Sequence, residues 1–250
     1  MSEISLPEHN VIRAVATGRS FYSFMNSPGA DLPVDYIIFS TGAGVATHPA
    51  GNIVRKINLA SNAVERAIKF FVQSNFDFMV HQPVPDNHML VYQRTSRHNP
   101  DFESRLAGYK QFSTPLVIED ADRFGPAAQL LAVVPENETA AALAVVRKAL
   151  PDFSIIHSTS PMDGQSTWLE IFHPEVSKSQ AAAWLASELK IMVKDTMAIG
   201  NDFNDLDLLE WSGSSFVVDN APDDLKGRFQ NVASNNTCGV AEAIDMWLKS

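Results

Sequence analysis

The chain has 250 residues, 45% of them hydrophobic and 19% charged, with a formal net charge of −10. That is enough for one large domain or two modest ones, each burying its own core without a disulfide or metal staple. Lys and Arg are few and scattered, which excludes nucleic acid and acidic membranes as natural partners. No run reaches ~18 apolar residues, so no membrane span is predicted.

The single cysteine, Cys238, allows no internal disulfide and reads as a structural thiol in a reduced, cytoplasmic protein. Residues 1–10 have neither the basic start nor the apolar centre of a signal peptide.

Residues 11–16 form an apolar run, broken by Arg13, that ends in Thr17-Gly18-Arg19-Ser20. Residues 36–39 repeat the pattern and end in Ser40-Thr41-Gly42-Ala43-Gly44. Both read as buried strands feeding small polar loops, as at the carboxyl edge of an open parallel sheet, where ligands bind. From about Asn62 the texture changes. Residues 63–73 have helical spacing, 76–81 and 89–93 look like strands, and a helix is predicted near 102–110. A strand at 129–134, an alanine-rich helix at 138–150 and a strand pair at 153–158 and 167–172 complete the block. This mixture reads as an α+β module inserted into the first domain.

After His173 the α/β alternation resumes. A helix is predicted over 178–190 with Ser177 as its N-cap, and a strand over 196–199 runs into Gly200-Asn201-Asp202-Phe203-Asn204-Asp205. Another helix, a strand at 215–218 and a helix near 240–249 close the chain.

Three polar clusters follow core strands or open a core helix. Thr17-Gly18-Arg19 offers a hydroxyl and backbone N–H groups, although most such tripeptides are plain turns. Lys178, in the first turn of a helix, opposes the helix dipole, which hints at a bound anion; most lysines so placed are solvated. Residues 200–207 hold Asp202, Asp205 and Asp207 with Asn201 and Asn204. Two readings stay open there: oxygen ligands for a hard ion such as Mg²⁺, or acids gathered at a helix N-terminus. A dinucleotide-binding oxidoreductase is excluded, because no Gly-x-Gly-x-x-Gly follows a strand.

Taken in order, these clusters resemble the haloacid dehalogenase superfamily, in its Cof-type sugar-phosphate phosphatase branch. Ala16-Thr17-Gly18-Arg19-Ser20 resembles the second motif, and Ser40-Thr41-Gly42-Ala43 the branch's Asn-Gly-Ala loop. Val176-Ser177-Lys178 before an alanine-rich helix resembles the third motif, and residues 199–205 the fourth, usually Gly-Asp-x-x-Asn-Asp. Asp219-Asn220-Ala221, Leu225-Lys226, Asn235-Asn236 and Gly239-Val240 fit the closing segment.

The resemblance implies a Rossmann-like parallel-sheet core from residues 1–60 and 173–250, with residues 61–172 as an inserted α+β cap. It implies hydrolysis of a small phosphorylated metabolite, commonly a sugar phosphate, through an aspartyl-phosphate beside Mg²⁺. By that analogy Thr17 bonds the phosphate with Gly18, Arg19, Thr41 and Gly42 around it. Lys178 offsets charge, and Asn201, Asp202 and Asp205 hold the metal. His81, His88, Arg94, Arg97 and His98 are the cap residues expected either to meet the substrate or to be ordinary surface groups.

The family's first motif, an apolar strand ending in Asp-x-Asp-Gly-Thr, has no counterpart. Only sixteen residues precede Thr17, and none is an aspartate. Leu116 to Asp122 imitates it but lies inside the cap, with Arg123-Phe124 where Gly-Thr is expected. Two explanations stand: a start codon placed too late, with the natural chain beginning ~20 to 30 residues upstream, or a silent relative that binds a phospho-ligand. Asn201 stands where the fourth motif usually has its first aspartate. Loss of the first strand is expected to expose the edges of its neighbours, and to favour pairing of two copies through them.

Overall fold

A computed structural model of the chain describes residues 10–117 and 124–249. The imitation of the first motif at residues 118–122 therefore lies outside the described residues.

The first sheet is built from β1 (Ala14–Ala16), β2 (Tyr36–Phe39), β3 (Gly44–Thr47) and β4 (Ile53–Lys56), with the short helix α1 (Phe21–Met25) after β1. Only β1 and β2 run parallel; β3 and β4 return antiparallel. The expected parallel-sheet core is present in β1–β2 and in the later strands 197–200, 214–218 and 230–232, with β3 and β4 added to it as an antiparallel extension. β3 and β4 escape a reading of apolar runs because each has four residues and β4 alternates half-buried and exposed positions.

The second region starts at α2 (Ser61–Gln73), whose residues Val64, Ala67, Ile68 and Phe71 form one buried stripe. Then come β5 (Phe78–His81), β6 (Leu90–Gln93), α3 (Pro100–Gly108), β7 (Ser113–Pro115), β8 (Gln129–Val134), α4 (Thr139–Ala149), β9 (Ser154–Thr159) and β10 (Thr167–Phe172). These strands make one six-stranded sheet ordered β7-β6-β5-β8-β10-β9. α2 and α4 cover one face with a core of Phe71, Phe78, Leu130, Val146, Leu169 and Ile171. Each large side chain so buried stabilises the fold by ~1.5–3 kcal/mol. Phe102 and Leu106 of α3 pack on the other face against Met79, Leu90, Leu131 and Val133.

The last region holds α5 (Lys178–Glu188), β11 (Met197–Gly200), α6 (Leu206–Trp211), β12 (Ser214–Val218), α7 (Asp223–Lys226), β13 (Gln230–Val232) and α8 (Gly239–Leu248). β11, β12 and β13 form a parallel sheet in that order. α5 packs Ala181 and Leu185 onto Ile38 and Val45, and so ties this region to the first sheet.

Among the described residues, the outer edge of β1 and the outer edge of β11 pair with no strand. Cys238 is a free thiol and is exposed. No helix among the described residues is long and apolar enough to cross a membrane.

Candidate active site

Loop 40–42 carries unusual backbone. Ser40, Thr41 and Gly42 all have positive φ, at 50°, 55° and 103°. For the β-branched Thr41 that is a strained conformation, of the kind that gathers at functional sites when surrounding structure holds it. What holds it is visible: the Thr41 N–H donates to the Thr17 carbonyl (3.0 Å), and the Ser40 N–H to that of Arg19 (2.8 Å). Gly42 lies against the Ser177 carbonyl, where an added Cβ would clash and would also stand 3.2 Å from Ala181 Cβ. Gly42→Ala is therefore expected to destabilise the fold by more than about 1 kcal/mol, measured by urea denaturation. A neutral result would show that the loop relaxes freely.

That close approach sets loop 40–42 on the N-terminus of α5, beside Lys178. Ser177 caps the helix by accepting the Gln180 N–H (3.2 Å). Lys178 is only 3% exposed, not solvated as most lysines in that position are. Its ammonium pairs with Asp205 and donates to Asn204 Oδ1 (3.3 Å). Two of its three N–H groups are thus engaged, and one remains. The third strand loop joins the same place: a Cβ on Gly18 would lie 3.6 Å from Thr41 Oγ1 and 4.0 Å from Asn204 Nδ2. Thr17 Oγ1 accepts the Arg19 N–H (3.1 Å), leaving its own proton to donate. The Thr41 hydroxyl is buried and has no hydrogen-bond partner among the described residues.

So Thr17, Gly18, Thr41, Gly42, Lys178 and Asp205 come together from four distant segments. Arg19 does not join them through its side chain, which is exposed and makes no ion pair among the described residues. Arg94 and Arg97 form surface pairs with Glu103 and Glu138, and His98 is exposed. His88 stacks on Tyr22 of α1 with ring centroids 4.3 Å apart.

Two of the three metal candidates are engaged otherwise. Asp205 Oδ2 accepts the N–H groups of Asn201 (2.8 Å) and Asp202 (3.4 Å), while its other oxygen meets Lys178. Asp202 turns to β9, accepting the Thr159 N–H (2.8 Å) and hydroxyl (3.2 Å) as well as the Phe203 N–H (2.8 Å). Asn201 is exposed. Among the described residues no three acidic, His or Cys side chains gather as metal ligands. These three residues, so placed, do not fit a Mg²⁺ ion by themselves, because the Asp202 and Asp205 carboxylates are turned to different neighbours.

Sequence reasoning named His81 but missed the other buried polar groups of the six-stranded sheet and α3, among them Glu170 and Arg105. Burial pushes the Glu170 carboxyl up to about 7, with Arg105 and Lys178 opposing. Burial and then Arg105 push His81 down to about 3, against its bond to the Asn87 backbone. The available signal was Glu170 itself, an acid inside the apolar strand Thr167–Phe172.

The sequence model of the haloacid dehalogenase-like hydrolases matches residues 4–244. YxeH of Bacillus subtilis strain 168, a candidate phosphatase by name, is 26% identical over 218 residues, covering 84% of this chain and 74% of that protein. A candidate phosphatase of Haemophilus influenzae strain Rd is 28% identical over 153 residues. That match covers 60% of this chain and only 56% of the H. influenzae protein. Among solved structures, the sugar phosphatase BT4131 of haloacid dehalogenase subclass IIB superposes with a TM-score of 0.74 at 14% identity, covering 96% of this chain and 87% of that one. BT1666 of Bacteroides thetaiotaomicron, from a study of phosphatases in this superfamily, also gives 0.74, at 16% identity over 97% of this chain and 84% of that one. Likeness at that identity speaks for the fold, and the profile match over nearly the whole chain speaks for descent. The chain belongs to the haloacid dehalogenase-like hydrolase family.

Proposed function

We propose that the chain binds the phosphate of a small phosphorylated metabolite among Thr17, Thr41 and Lys178, with residues 61–172 acting as a cap over the rest of the ligand. The observation that carries this reading is the buried Lys178 with one unspent N–H, together with the Thr41 hydroxyl, which has no partner among the described residues and lies in the loop that Gly42 seats on the start of α5. Thr17 and Thr41 would donate to phosphate oxygens, and Lys178 would offset their charge.

Hydrolysis in this family reading runs through an aspartyl-phosphate, in which a carboxylate nucleophile divides one slow displacement into two easier ones. The chain has no aspartate before Asp31. We therefore assign turnover to a form in which an aspartate-bearing strand lies between the free edges of β1 and β11. Mg²⁺ dependence belongs to that complete site, since Asn201, Asp202 and Asp205 do not suffice.

Thr41→Val tests the site directly. The removed hydroxyl is buried without a partner, so stability is expected to hold or rise. Loss of a hydrogen bond to a charged oxygen weakens binding of inorganic phosphate by about 1.5–3 kcal/mol. Calorimetric titration measures the second and urea denaturation the first. Unchanged phosphate affinity would remove Thr41 from the site.

A further inference from the structure

Residues 82–89 connect β5 and β6 as a hairpin loop, an element that usually runs over the surface. Here it is turned inward. Two turns fix its shape: the Asp86 N–H donates to the Pro83 carbonyl (2.9 Å), and the Met89 N–H to that of Asp86 (2.9 Å). Val84 is buried in one apolar cluster with Phe24 of α1, Phe39 of β2 and Val176 before α5. Its N–H donates to Asn58 Oδ1 (2.9 Å), in the connection from β4 to α2. His88 stacks on Tyr22 of α1, and Phe112 meets both rings edge-on. A loop of the six-stranded sheet is thus built into the core of the first sheet.

Asn87 is the residue that this loop delivers to loop 40–42. It is 3% exposed, and its Nδ2 donates to Ser40 Oγ (2.6 Å). Its own carbonyl accepts from His81 Nδ1 (2.8 Å), which ties it back to β5. Ser40 is fully buried and has a φ of 50°, directly before Thr41 at 55°. Two consecutive L-residues in the left-handed region are costly, and they persist only where their surroundings hold them. The loop after β1 holds their backbone through the carbonyls of Thr17 and Arg19. Asn87 adds a hold on a side chain, from a different region of the fold.

We propose that Asn87 is a positioning residue for the phosphate site: it holds Ser40, and through Ser40 the strained backbone that aims the Thr41 hydroxyl. This rests on the phosphate-site reading above, and adds a residue that acts on the site through another rather than on the ligand. The physical link is short. The direction of the Thr41 hydroxyl follows the backbone angles of Ser40 and Thr41. Without the Asn87 bond, Ser40 is free to turn toward more populated angles, and the hydroxyl turns with it. Groups that face a ligand keep their affinity only while the residues behind them keep them in place. By linkage the effect is reciprocal: bound phosphate stabilises the Asn87–Ser40 contact by the factor that the contact adds to phosphate affinity.

The test is a set of double-mutant cycles on the whole chain, read by calorimetry with inorganic phosphate and by amide hydrogen exchange. Asn87→Leu keeps the volume and removes the donor. It is expected to weaken phosphate binding about fivefold in the parent chain. In Thr41→Val, where the aimed hydroxyl is already missing, the same change is expected to cost less than about twofold. Ser40→Ala is expected to act as Asn87→Leu does, with no further loss when the two are combined. A residue that merely supports the fold would weaken phosphate equally in every background, and that result would overturn the proposal. So would an unchanged affinity of Asn87→Leu in the parent chain. Exchange reads the hold without any ligand. The Ser40 and Thr41 amides are expected to exchange about fivefold faster in Asn87→Leu, and those of α4 at the parent rate. Parent rates at Ser40 and Thr41 would overturn the hold even if phosphate binds. Faster exchange there, with no phosphate bound by the parent chain, upholds the hold and overturns the phosphate-site reading alone.

Discussion

Lys178→Ala is expected to lower the stability of the fold by about 3–5 kcal/mol, because it leaves the Asp205 carboxylate buried without its cation. The side chains of the pair are 4% and 8% exposed. Asp205 also anchors the loop after β11 through the Asn201 and Asp202 N–H groups, so the loss spreads beyond one contact. A paired variant separates charge from packing. Lys178→Met combined with Asp205→Asn removes both charges at similar volume, and most of the stability is expected to return. Phosphate affinity is not expected to return with it, since the unspent N–H is gone. A paired variant as unstable as Lys178→Ala would show that volume, not charge, sets the cost.

The second large effect concerns turnover. The chain as it stands is expected to release no phosphate from an aryl phosphate in the presence of Mg²⁺. Enzymes that work through a covalent intermediate lose on the order of 10⁶ in rate when the nucleophile is removed. Translation of the DNA upstream of the Met1 codon, in frame, supplies the comparison. An apolar run ending in Asp-x-Asp, added to the chain, is expected to pair with both free edges and to bring Mg²⁺-dependent release that a chelator abolishes. An immediate stop codon would sink that reading in favour of a silent binder. Turnover in the present chain that survives Lys178→Ala and Asp205→Ala would place the active site elsewhere.

The fold was legible where apolar runs are continuous and flanked by breakers. β2, β8 and β10 have the bounds read from the sequence, Tyr36–Phe39, Gln129–Val134 and Thr167–Phe172. β1 is shorter than its apolar run, Ala14–Ala16. β13, at Gln230–Val232, leaves no periodicity to read because it has three residues and only Val232 is buried. In the site, the loops after β1 and β2 and the start of α5 were legible as small residues, hydroxyls and a lysine at strand ends and a helix start.

Their partners were not legible, because pairing acts across the fold. Nothing local says that Lys178 is buried, since Asp205 and Asn204 come from another loop. Nor does the acid-rich stretch after β11 reveal that Asp202 turns to Thr159 of the six-stranded sheet while Asp205 turns to Lys178. By itself the sequence determined the family, the order of elements and which loops carry polar groups, because those follow from periodicity, turn residues and ordered motifs. Only the tertiary structure decided which carboxylates are already engaged and which buried polar atoms at the six-stranded sheet have no partner among the described residues. Those depend on which distant segments are pressed together, and that is a property of packing rather than of local spacing.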